Sequence, residues 1–188
     1  MLTRQLTIVD AQPDLFTFCS WGDVNIHVWW GPVVEDVVQR LGSFSSATMR
    51  EHPGGMSFVH VVTASARLPD AEARGALVAL SKRFEHDTGP TAVVIGGEGF
   101  FAGALRAAVT GLWLAAPKTM PMRMCGNADE VAAWLPARHL ESTGVTLDPA
   151  ELLTVVREAG RPECSHTAPR SLPPPAPVEA RSRAREPR

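Results

Sequence analysis

Met56-Ser57-Phe58-Val59-His60-Val61-Val62 decides the fold. It is a near-continuous apolar run of strand length with no turn former, the pattern of a strand covered on both faces, as in a parallel sheet. On its C-terminal side, Asp70 is placed to cap a helix from Ala71 to about His86, with Leu77, Leu80 and Phe84 at helical spacing. Thr91–Ile95 reads as a second buried strand, followed by a glycine turn and a helix from about Phe100. Pro121–Cys125 reads as a further strand. Asn127 and Glu130 form a capping pair for a helix to Leu135. On the N-terminal side, Leu15–Ser20 and Val24–Trp29 are β-branched and aromatic runs joined through Gly22-Asp23, which predicts a hairpin. Gly31-Pro32 ends the second run and opens a helix to Leu41, with Gly42 where a C-terminal cap would sit. The expected architecture is α/β, a layered mixed sheet of about five strands with an N-terminal hairpin and right-handed crossovers.

The predicted organisation is an N-terminal segment (1–13), an α/β domain (14–136), an extension with one helix (137–160) and a disordered Pro/Arg-rich tail (161–188). Asp148-Pro149-Ala150-Glu151 starts the extension's helix and Gly160 stops it. The tail, with Pro173-Pro174-Pro175, has little apolar surface to bury.

A chain of 188 residues with 45% hydrophobic content supplies one ordinary core. The net charge of −2 gives no field for nucleic acid or anionic lipid. It divides into a mildly acidic body, with 12 Lys plus Arg against 17 Asp plus Glu over residues 1–160, and a mildly basic tail, with 6 against 3. Cys19, Cys125 and Cys164 are scattered singly, and Met1–Leu6 lacks a signal peptide's apolar run, so a cytoplasmic location is expected. The apolar stretch Phe100–Ala116 is at the lower limit of a membrane span and contains Arg106, which favours a buried helix.

The order of elements over residues 14–136 resembles the STAS domain of bacterial anti-sigma factor antagonists and its STAS-like relatives. That family carries an Asp-Ser-Ser-Gly motif at a helix start. Here the preceding strand is Val59–Thr63, the loop is Ala64–Pro69, and the motif position holds Asp70-Ala71-Glu72-Ala73. The acidic residue matches and both serines are replaced. Ala92–Ile95, the helix with Leu105 and Val109, Met122–Cys125 and Asp129–Leu135 follow the same succession. The resemblance implies STAS-like topology and a non-enzymatic regulatory or adaptor role in binding another protein, without the family's phosphoserine switch. The implied contact surface is Arg67, Asp70, Glu72 and Arg74 at the start of the second helix. Glu72 reads more simply as a first-turn residue stabilised by the macrodipole than as a phosphate mimic.

Gly97-Glu98-Gly99-Phe100-Phe101-Ala102 follows a strand and opens a helix, the setting for an anion or nucleotide pocket at a helix N-terminus. This alternative, a ligand module using Gly97, Gly99 and Phe100, departs from a dinucleotide fingerprint. Cys125-Gly126-Asn127 stands where a ribose-binding acid is needed, and two phenylalanines lie inside the motif. The six histidines show no metal-ligand spacing, and His60 reads as a hydrogen-bonded core residue. Ser57 and Ser65 have no assignable base and acid, so no catalytic residues, metal or cofactor are expected. Glu35-Asp36 and Asp129-Glu130 read as solvated first-turn pairs. Trp29-Trp30 sends two rings to opposite faces, which raises an exposed tryptophan edge, with Trp21, as a possible homodimer contact. Arg181, Arg183, Arg185 and Arg188 read as a solvated tail rather than a nucleic-acid site.

Overall fold

A computed structural model describes residues 4–84, 89–97, 99–115 and 121–165. The order of elements is β1 (Thr7–Gln12), β2 (Phe16–Trp21), β3 (Val24–Trp29), α1 (Glu35–Glu51), β4 (Ser57–Val62), α2 (Ala71–Arg83), β5 (Thr91–Ile95), α3 (Phe100–Ala115), β6 (Met122–Cys125), α4 (Ala128–Thr143), α5 (Pro149–Ala159) and the short α6 (Pro162–Ser165). The six strands form one mixed sheet in sequence order. β1, β2 and β3 are antiparallel, and β3 to β6 run parallel. The α/β layered expectation therefore holds, with one strand more than the sequence indicated.

The extra strand is β1. Asp10 interrupts its apolar pattern, but Asp10 points to Arg40 of α1, whose Nε donates to it at 2.9 Å, and a bulge between Ile8 and Asp10 absorbs the irregularity.

Each parallel crossover joins neighbouring strands and steps in the same direction across the sheet. Crossovers of one hand then place their helices on one face. α1, α2 and α3 do share a face, on Phe16, Phe18, Trp29, Val93 and Ile95. The opposite face of a parallel sheet also needs cover, and α4 and α5 supply it. Val131 and Leu135 of α4 and Leu152, Val155, Val156 and Ala159 of α5 pack on Cys19, Ile26, Val28, Val59 and Val94. The helix of the 137–160 extension is thus part of the core. Burying its three large aliphatic side chains contributes on the order of 1.5–3 kcal/mol each.

The N-terminal capping expectations hold. Asp70 accepts from the Ala73 amide at 2.8 Å, Asn127 from Glu130 at 3.0 Å, and Asp148 from Ala150 at 2.7 Å. α2 ends at Arg83 with Phe84 at its C-cap, short of the predicted end at about His86, and residues 85 and 86 lie outside the described ones.

Two helices run further than predicted. α1 starts at Glu35 and continues through Gly42 to Glu51. Gly42 is no cap: a Cβ there would lie 2.9 Å from Leu80 Cδ1, so its bareness lets α2 approach α1. α4 passes through Pro136 to Thr143 and ends at Gly144, whose φ of 74° is the left-handed cap conformation. Packing and capping of its second half outweigh the hydrogen bond that Pro136 removes.

The tryptophan edge is not exposed. Trp21 and Trp29 are buried, and the half-buried Trp30 donates its indole N–H to Thr17 Oγ1 at 3.0 Å. The rings of Trp29 and Trp30 do lie on opposite faces. α3 is less buried than predicted, with Ala102 and Leu105 inside and Phe100 94% exposed. Among the described residues, no helix is long and apolar enough to cross a membrane. The four residues of α6 continue the chain past Gly160, and the predicted tail beyond Ser165 lies outside the described residues.

Candidate functional site at the carboxyl end of the sheet

The loops leaving β3, β4 and β5 emerge side by side, because the strands are neighbours about 4.8 Å apart. The β4 loop is held down at its near end. Thr63 donates its amide to the Trp29 carbonyl at 3.1 Å and its hydroxyl to the same oxygen at 2.9 Å, and the Arg67 amide donates to the Gly31 carbonyl at 3.2 Å. Gly31 is required for this junction, since a Cβ would come within 2.2 Å of the Asp14 carbonyl oxygen. Ala66 and Pro69 are buried and anchor the loop, leaving Arg67 and Leu68 in solvent between them.

The four residues assigned to a partner surface gather here but differ in freedom. Asp70 is occupied by the cap of α2, and Arg74 donates its guanidinium to the Pro69 carbonyl at 3.1 Å. Arg67 and Glu72 are exposed, and their side chains have no hydrogen bond or ion pair among the described residues. Ala73, where the STAS motif has glycine, is fully buried, so only a small residue fits. Sequence reasoning missed two apolar members of this edge, Val34, 37% exposed before α1, and Leu68, 42% exposed before α2. Phe100, named for the ligand alternative, opens α3 at the same edge.

At the turn proposed for a ligand, Gly97 and Gly99 have φ of 83° and 93°, conformations suited to glycine. Arg106 spends its guanidinium on the turn itself, donating to the Ile95 carbonyl at 3.1 Å and the Gly97 carbonyl at 2.7 Å. Phe100 points away from the core. Ligand crevices in wound sheets open where strand order reverses, and an order that runs straight from β1 to β6 has no such point.

The opposite end of the sheet contains an array that the sequence did not reveal. Ser57 Oγ lies 2.8 Å from His139 Nδ1, and His139 Nε2 lies 3.1 Å from Asp23 Oδ2. Asp23 also pairs with Arg4 at 3.1 Å. Ser57 therefore does have a histidine and a carboxylate in line. Burial pushes the Asp23 carboxyl up, but the hydrogen bond and charge of His139, with Arg4 beside it, outweigh this and hold it below the usual range. Ser57 and His139 have no exposed surface through which a substrate could reach them. In this conformation the array fastens the β2–β3 turn, the start of β4 and the end of α4 together. Residues 82 and 116 positions apart, one of them beyond a proline, carry no local signal of such a contact.

On the α1 face, His27 is buried among Phe18, Phe44, Phe58 and His60, and neither ring nitrogen has a hydrogen-bond partner among the described residues. His60, as expected, is hydrogen-bonded: Trp29 Nε1 donates to its Nδ1 at 3.3 Å. Burial lowers the pKa of both rings, that of His60 to about 4, and His60 adds to the lowering at His27. Cys19 is pushed up to about 12, mainly by burial, and is an inert thiol. Glu35 and Asp36 are exposed as predicted, whereas Asp129 pairs with Arg157 at 2.9 Å and Glu130 accepts from the Gly126 amide at 3.1 Å. Among the described residues, no cluster of three or more His, Cys, Asp or Glu could hold a metal. No protein-family model and no curated protein matches this chain.

Proposed function

We propose that this chain is a STAS-like, non-enzymatic regulatory or adaptor domain that binds another protein through the carboxyl edge of its sheet. The observation that carries this reading is the β4–α2 loop. It is pinned by backbone bonds, yet presents Arg67, Leu68 and Glu72 to solvent beside Val34 and Phe100. Apolar anchors inside a rim of charge on a rigid support are what a protein partner uses. A pinned loop also loses little entropy on binding. Glu72, exposed in the first turn of α2, supplies an acidic group without phosphorylation and fits a constitutive contact rather than a switched one.

The test is affinity co-purification from the native cell, comparing wild type with a Leu68→Asp, Glu72→Arg variant. Asp70 is left alone, because removing a cap costs about 1 kcal/mol and would confuse folding with binding. The expected result is a specific protein held by the wild type and depleted at least about tenfold by a variant of unchanged circular dichroism, equivalent to about 1.4 kcal/mol. A wild type that retains nothing specific, or a variant that retains everything, contradicts the proposal.

A further inference from the structure

We infer that the outward face of α3 is a two-fold contact between two copies of this chain, with the helices antiparallel and crossing at Ala107. Among the described side-chain positions of α3, the exposed ones are Phe100, Gly103, Ala107, Gly111 and Leu114. Their spacing of three, four, four and three residues puts them in one stripe along the helix. No charge falls in the stripe. The sole charged residue of α3, Arg106, is drawn back to the carbonyls of Ile95 and Gly97. Phe100 is 94% and Leu114 69% exposed, so both ends of the stripe are bulky and its middle is bare. Neither glycine is explained by packing among the described residues, where a Cβ at Gly103 or Gly111 would meet nothing within 4 Å.

The order of sizes identifies the occupant. Read from either end, the stripe is large, small, small, small, large, centred on Ala107. A two-fold axis through Ala107 sets Phe100 of each copy against Leu114 of the other and Gly103 against Gly111. Such a face is its own complement, as an isologous contact requires. The small residues allow the two backbones a close approach, and an uncharged stripe brings no like charges together. Met124 of the edge strand β6, 37% exposed and touching Thr110, widens the apolar strip. The other candidate within the chain is the segment 166–188, which offers only Leu172 and Val178 as large aliphatic side chains beside five arginines, and it complements the stripe poorly. A 16-residue helix is about 24 Å long. A face of that length is small for a stable interface, so a dissociation constant on the order of micromolar is expected.

The full-length chain is measured by sedimentation and light scattering from 5 to 200 micromolar. The expected mass rises from 20.2 kDa toward twice that value. Ala107→Glu, which opposes two carboxylates at the axis, should weaken association at least about tenfold without changing the helical signal. Register is read in a Cys164→Ser background. Ala107→Cys should form an intermolecular disulfide under mild oxidation, whereas Gly103→Cys should not, because antiparallel helices separate the two copies of residue 103 by about 12 Å along the axis. A monomer at 200 micromolar, a dimer that Ala107→Glu leaves intact, or equal cross-linking at both positions overturns the inference. This contact shares only Phe100 with the β4–α2 edge, and neither set of variants alters that residue, so either can fail alone.

Discussion

Replacing His139 with alanine should cost about 3–5 kcal/mol, the largest loss expected from any single polar substitution in this chain. His139 joins Asp23 and Ser57 at 3.1 and 2.8 Å with no solvent around it. Removing the ring opens a cavity, orphans the Ser57 hydroxyl and leaves the Asp23 carboxylate with Arg4 alone. Asp23 accepts from Nε2–H of the ring, and Nδ1 faces the Ser57 hydroxyl. Ser57→Ala removes a neutral partner and should cost only about 1 kcal/mol. The measurement is urea unfolding of the three proteins. Similar midpoints for His139→Ala and wild type would show that the array holds nothing together. The folded protein should also resist serine-directed fluorophosphonates, and rapid stoichiometric labelling at Ser57 would show an accessible nucleophile instead of a fastener.

Stability should fall as the medium is acidified from pH 6.5 toward 4. His27 and His60 have folded-state pKa values below the usual one, that of His60 about 4. Above pH 6.5 both are neutral in either state and their burial carries no protonation penalty. Below it the unfolded chain binds protons that the folded chain refuses, and each group takes away about 1.4 kcal/mol per pH unit until its folded pKa is reached. For His60 that window closes near pH 4. Asp23, whose pKa is also lowered, stabilises the fold above the ordinary carboxylate value and loses that contribution only at lower pH. His27→Leu should therefore roughly halve the slope between pH 6.5 and 5. It should also raise stability at pH 5, since it removes two ring nitrogens with no hydrogen-bond partner from an aromatic enclosure. Urea midpoints measured at pH 7.5, 6.5, 5.5 and 5.0 check both. A flat profile in the wild type would mean that the imidazoles are hydrated in the native state.

The parallel half of the sheet is legible because Met56–Val62 and Thr91–Ile95 are short apolar runs bounded by turn residues, and Asp70, Asn127 and Asp148 mark helix starts by a local hydrogen bond. β1 is not legible, because Asp10 breaks its pattern and is satisfied only by Arg40, 30 residues away. Gly42 misleads for a related reason: glycine signals both a helix end and a close helix crossing, and only the position of Leu80 separates them. Arg67, Asp70, Glu72 and Arg74 are neighbours in sequence, and a loop entering a helix keeps them together in space. Val34 and Phe100 join that edge only through the order of strands, which no local pattern encodes.

The most direct test of the proposed role is site-specific photocross-linking in living cells, with a photoreactive amino acid at position 68 and, as a control, at position 145, where Val145 is 39% exposed beyond α4 at the other end of the sheet. A partner bound at the carboxyl edge predicts a discrete covalent adduct to another protein from position 68 and none from position 145. Equal adducts at both positions, or adducts at neither, would contradict it.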